Sequence, residues 1–259
     1  MYLRAAHAEY HIPTLRRFIQ ENPLGLFITA LQSTTFPTIQ CSHVPFLLDV
    51  QDETSETELG KLRGHLAKPN PQTKSITEAV QASTPSRSNG RLREEVSVVF
   101  NGPAHSYVTP KFYVETKPTT GKVVPTWNYT AVQAYGTATI FFDSKAAETG
   151  EFLHRQITDL SRFAETQMMG FTGEGDRLKP WELADAPERY TELLKKNIIG
   201  VEIEITRLEG KFKMSQELAS GDREGVIKGF DALQTDNASR IARTVEERGR
   251  IKDSAAKQG

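Results

Sequence analysis

Apolar residues keep a helical period at the start of this chain, form short runs through its first half, and return to a helical period after residue 143. Across residues 12–20, Leu15, Phe18 and Ile19 follow Pro13, which suits a first helical turn, and Asn22-Pro23 ends the pattern. Residues 24–28, 44–48, 96–100 and 129–142 are β-rich runs separated by turn residues. Several strands without intervening helices predict an antiparallel barrel or sandwich, not a doubly wound sheet. The polar stretches 51–58 and 72–91, the latter containing the polar run 83–90, read as solvent loops, the second of them mobile.

Leu153, Ile157, Leu160 and Ala164 then recur at helical spacing. A second helix is predicted over 186–197, with Asp185 as its N-cap and Pro187 in its first turn. Val201-Glu202-Ile203-Glu204-Ile205 alternates as a half-buried strand should, and a helix follows over 222–233. Beyond it, residues 235–259 carry only Ile241, Val245 and Ile251 as large aliphatics, so this tail is expected to fray unless a partner holds it. The chain therefore reads as one domain over 1–234 and a polar tail over 235–259.

Composition narrows the classes. With 37% hydrophobic and 25% charged residues in 259, the chain can bury a core. Its 32 Lys and Arg against 33 Asp and Glu give a net charge of -1, so there is no global electrostatic case for nucleic acid or an anionic membrane. Cys41 is the sole cysteine, which excludes an intramolecular disulfide and a multi-thiolate zinc site and fits a reducing compartment. No secretory pattern opens the chain and no apolar run is long enough to span a bilayer, so a cytoplasmic protein is expected. The glycosylation patterns at Asn128 and Asn237 carry no weight without an export signal.

Two familiar chemistries are absent. Gly170-Phe171-Thr172-Gly173-Glu174-Gly175 follows a predicted helix, whereas a dinucleotide fingerprint must follow a strand and open a helix. The six histidines never form a zinc-hydrolase motif, and His7 and His11, four apart, lack any supporting ligand; no metal site is expected. Three clusters remain. Gly64-His65-Leu66-Ala67-Lys68-Pro69-Asn70-Pro71-Gln72 runs from a β-like segment into a turn whose prolines fix the backbone; it is either an ordinary loop or a phosphate-holding one. Val124-Pro125-Thr126-Trp127-Asn128-Tyr129 suits a barrel rim or the face of a flat heteroaromatic cofactor. Lys211-Phe212-Lys213-Met214-Ser215-Gln216 is by itself a solvated strand end.

Taken in order, His43-Val44-Pro45, residues 64–72, Phe100-Asn101-Gly102-Pro103, Tyr107-Val108-Thr109-Pro110, residues 124–129, Ala134-Tyr135-Gly136, Lys213-Met214-Ser215-Gln216 and Gly225-Val226-Ile227 resemble the PaiB family. The resemblance implies an α+β, mainly β fold: an FMN-binding split β-barrel of the pyridoxamine-phosphate-oxidase-like type with peripheral helices, forming a homodimer with the flavin near the subunit interface. It implies Lys68 with Asn70 at the flavin phosphate, His65 beside them, and Thr126, Trp127 and Asn128 at the ring system. Lys213, Ser215 and Gln216 would close the site from the other side or from the partner subunit. The segment 102–107 is one residue longer than the family pattern, Gln133 stands where His is frequent, and Glu217 where Asn is usual, so His105, Gln133 and Glu217 inherit no role.

The function this implies is a flavin-dependent oxidoreductase acting on a small molecule, with no catalytic residue assigned. The alternatives are a haem-binding or haem-degrading protein, for which His43 and His65 are the ligand candidates, and a non-catalytic cofactor-sensing regulator. Direct DNA binding has no helix-turn-helix or basic face behind it.

Overall fold

The structure, a computed structural model, describes residues 1–83 and 89–255. Its strands are β1 Ala8–Glu9, β2 Leu24–Ala30, β3 Ile39–Pro45, β4 Leu47–Asp49, β5 Lys61–Ala67, β6 Asn89–Arg91, β7 Val96–Asn101, β8 Ser106–Val108, β9 Thr126–Phe141 and β10 Ile198–Lys213. The helices are α1 Ile12–Glu21, α2 Pro71–Ser83, α3 Thr116–Thr120, α4 Ala147–Phe163, α5 Glu188–Lys195, α6 Ser220–Asp231 and α7 Asp236–Ala255. The chain forms two units, the first from residues 1–22, 100–133 and 208–259, the second from 23–99 and 134–207.

The second unit holds the sheet that the β-rich runs predict, in the order β3-β2-β7-β9-β10-β5-β4, with β6 on β9. Pairings β2–β3, β2–β7, β4–β5, β5–β10 and β6–β9 are antiparallel. Alternation sets the faces: Val96 and Val98 on β7 are buried while Ser97 between them is not, and Val201, Ile203 and Ile205 on β10 are buried while Glu202 and Glu204 between them are not. Gly64 on β5 faces Val201, and a Cβ there would lie 2.8 Å from the Phe46 ring, so the ring fills the space a side chain would need. Beneath α4, the buried Arg63 guanidinium donates to Asp49, to Asp159 at 3.0 Å and to Gln156 at 3.3 Å; each charge has a partner, as burial requires.

In the first unit, β1 pairs with the end of β10 and β8 with the start of β9. Its core joins Ala104, Val108, Tyr113 and Met214 to Val226 and Phe230 of α6 and to Ala238, Ile241, Ala242 and Val245 of α7. Arg248 of α7 binds Glu9 at 2.7 Å and lies 4.2 Å over the Phe212 ring, which ties the helix to the strand bearing Lys213.

Three expectations are corrected. The stretch 72–91 is not all solvent loop: residues 71–83 form α2, because Ile76 and Val80, one helical turn apart, are completely buried. Residues 84–88 lie outside the described residues. The tail does not fray over 236–255: Ala238, Ile241, Ala242 and Val245 make a stripe whose alanines a count of large aliphatics overlooks. Asp185 does not cap α5; its carboxylate accepts the Glu182 N–H at 2.9 Å in a 3₁₀ turn, and α5 starts at Glu188 with Pro187 in the capping position. Residues 51–58 do lack helix and strand, pinned by Glu58 accepting from the Gln51 and Asp52 amides at 2.7 and 2.9 Å.

Candidate functional site

The structure distributes the expected site residues over both units: His65, Lys68 and Asn70 in the second; Thr126, Trp127, Asn128, Lys213, Ser215 and Gln216 in the first.

In the second unit β5 ends where Lys68 donates its backbone N–H to the Asn197 carbonyl at 2.9 Å. Pro69 and Pro71 hold the turn, and Pro71 opens α2 at the position where a missing N–H costs nothing. Asn70 acts as the cap: Oδ1 accepts the Gln72 N–H at 2.9 Å, while Nδ2 donates to Ser42 Oγ at 2.9 Å. Gln72, 1% exposed, donates from Nε2 to the Phe27 carbonyl and Thr29 Oγ1, both at 3.1 Å, fastening the helix start to β2. Asn70 and Gln72 thus build the turn.

The turn opens on a cleft of about 420 Å³ lined by Lys68, Thr73, Lys74, Thr77, Glu78, Gln81, Phe142 and Ile199, so one carboxylate stands in its wall beside the two ammonium groups. Thr73 is 2% exposed, and its Oγ1 has no hydrogen-bond partner. Neither the Lys68 nor the Lys74 ammonium has a partner among the described residues. An unpaired buried hydroxyl costs about 1–3 kcal/mol, so the cleft wall is short of an acceptor. Two ammonium groups, the N-terminus of a thirteen-residue helix and an orphan hydroxyl are a donor set suited to an anion. On the strand before them, His65 Nδ1 is buried and also unpaired, and burial holds this imidazole below its ordinary 6.5, in the neutral form.

In the first unit the polar atoms of the expected site residues Lys213, Asn128, Ser215 and Gln216 are paired instead. Lys213, at the end of β10, donates to Thr126 Oγ1 and to the Trp127 carbonyl at 2.8 Å. Burial, with Lys211 adding to it and Glu217 opposing, keeps the Lys213 ammonium below its usual 10.5. The buried Asn128 amide and Ser215 hydroxyl bond reciprocally at 3.0 and 3.1 Å, and Ser215 takes the left-handed φ of 59° to make the corner. Gln216 closes it, accepting the Met214 N–H at 2.7 Å and donating to the Phe212 carbonyl. Trp127 stands apart: its indole is 50% exposed, His105 stacks at 6.0 Å and Tyr107 meets it edge-on.

Sequence reasoning missed Thr73 and Lys74, because the helix that presents them was read as loop. It also missed the buried His7, whose Nε2 lies 3.1 Å from Glu217 Oε2, although Glu217 stood out as a departure from the family pattern. Among the described residues, no group of three or more His, Cys, Asp or Glu could hold a metal ion, and no helix is long and apolar enough to cross a membrane.

Residues 1–207 match the family described as "Putative FMN-binding domain". The chain is 60% identical over 261 residues to an uncharacterized protein of Aspergillus fumigatus, covering 98% of this chain and 99% of that one. It is 25% identical over 247 residues to the protease synthase and sporulation protein PAI 2 of Bacillus subtilis, covering 95% of each. Among solved structures, a conserved hypothetical protein of Mycobacterium tuberculosis aligns at 13% identity with a TM-score of 0.46, covering 85% of this chain and 94% of that one. The antiparallel sheet described above and the family match together bear out the α+β, mainly β split-barrel class with peripheral helices. The chain belongs to the PaiB-type family of FMN-binding domains.

Proposed function

We propose that this protein binds FMN and uses it as a flavin-dependent oxidoreductase on a small molecule, with the flavin phosphate held in the cleft beside α2. The observation that carries this is Thr73 Oγ1, buried without an acceptor, beside the Lys68 and Lys74 ammonium groups, which have no partner among the described residues. Lys68 supplies the charge-assisted hydrogen bond, Thr73 the neutral one, and Asn70 holds the turn that aims them. In the first unit, taken by itself, Trp127 keeps an exposed indole, while the remaining members of its expected set fix that segment. Bound flavin would supply the electron transfer, and the protein would orient and shield it.

The test is a titration of flavin-free protein with FMN and with riboflavin, which lacks the phosphate. Lys68→Ala should weaken FMN binding by about 1.5–3 kcal/mol, one to two decades in Kd, and leave riboflavin unchanged. Equal losses for both ligands would remove Lys68 from the phosphate site. An absorption spectrum showing tight haem binding, with no affinity for flavin, would overturn the flavin reading and turn attention to His65.

A further inference from the structure

Strand alternation separates a second cavity of the second unit from the cleft beside α2. Arg63 of β5 pairs with Glu202 of β10 and reaches α4, whereas Ile199 of the α2 cleft lies three residues from Glu202 and so on the opposite face. On the α4 side, a cavity of about 170 Å³ lies between that helix and residues 180–184. From α4 come His154, Thr158, Ser161 and Arg162, whose helical spacing puts them on one stripe. The facing wall is Pro180, Trp181, Glu182, Leu183 and Ala184. Polar bonds hold that wall in place. The Trp181 N–H donates to Glu165 Oε2 at 3.0 Å, and Glu182 and Asp185 cap the 3₁₀ turn 183–185 reciprocally.

We propose that this cavity binds a small aromatic carboxylate, a single flat ring bearing one anionic group. Size sets the ring, because a cavity of about 150 Å³ holds one benzene and excludes anything as large as a flavin. The wall sets its character: the Trp181 indole, 43% exposed, stands with Pro180 and Leu183 as an apolar side against which a ring can pack. Unmet donors set the charge. The Arg162 guanidinium has no partner among the described residues, and Thr158 Oγ1 is buried without one. A carboxylate serves both, accepting two parallel N–H bonds from the guanidinium and one from the hydroxyl. The one carboxylate lining the cavity, Glu182, belongs to the capping of the 3₁₀ turn. Because this cavity and the α2 cleft lie on opposite faces of β10, the inference does not depend on flavin binding.

Calorimetric titration of the full chain with benzoate and with its neutral isostere benzamide tests it. Benzoate should bind once per chain with a Kd below about 1 mM, and benzamide at least about tenfold more weakly. Added FMN should leave the benzoate affinity unchanged, whether or not FMN itself binds. Arg162→Gln should weaken benzoate at least about tenfold and leave benzamide as it was, while Trp181→Ala should weaken both ligands by a similar factor. Both substitutions change exposed positions, so circular dichroism and melting should match the natural chain. Failure of benzoate to bind at about 10 mM would overturn the proposal. So would equal affinity for benzamide, displacement of benzoate by FMN, or binding that survives both substitutions.

Discussion

The turn after β5 and the corner after β10 use nearly the same vocabulary, a lysine beside amide and hydroxyl side chains at the end of a strand, yet their hydrogen-bond accounts differ. After β10, Lys213, Asn128, Ser215 and Gln216 all find partners within their own unit. After β5, Asn70 and the Gln72 Nε2 do so, but among the described residues Thr73 Oγ1 and the Lys68 and Lys74 ammonium groups do not, and Gln72 Oε1 is also left without a partner. Polar residues whose bonds are all made internally act as architecture. A buried bond left unmade, as at Thr73, is where a water or a ligand can supply the missing partner.

The contrast can be broken most severely at Asn128. Asn128→Leu strands the Ser215 hydroxyl in the interior and should destabilise the protein by about 2–3 kcal/mol in urea unfolding. Lys68→Ala should do the opposite: stability within about 0.5 kcal/mol of the natural chain, and the ten- to hundredfold loss in FMN affinity stated above. Thr73→Val sharpens the comparison further. Removing an orphan hydroxyl should leave stability unchanged or raised by up to ~1 kcal/mol, while FMN binding weakens by about tenfold in fluorescence titration.

The smallest expected effects concern pH. His65 binds its proton less readily folded than unfolded, so stability should decline as pH falls through 6.5 toward its lowered value, and His65→Gln should flatten that limb. The same sign applies to Lys213 in an alkaline window. Stability should rise with pH between its lowered value and 10.5, and Lys213→Met should remove the rise. Unfolding midpoints across pH check both; an unchanged limb in either variant would dissociate that side chain from the effect.

The strands were legible in the sequence because burial on one face of a sheet imposes a period of two, visible in Val96, Val98 and Phe100. The helices α2 and α7 were not, because their buried stripes are short or built partly from alanine and are diluted by polar neighbours: Ile76 and Val80 within one, Ala238 and Ala242 within the other. The turn of residues 64–72 was recognisable from its prolines and its lysine. That Asn70 builds while Thr73 stays open was not, since which hydroxyl lacks an acceptor depends on where Ser42, Phe27 and Thr29 come to lie.

The placement of α6 and α7 has a consequence for truncation. The matched family domain stops at residue 207, but the first unit completes its interior with Val226 and Phe230 of α6 and with Ile241 and Val245 of α7. What must be synthesised before this unit can hold itself together is therefore longer than the matched span. A chain cut at that boundary would leave Val108 and Tyr113 facing solvent.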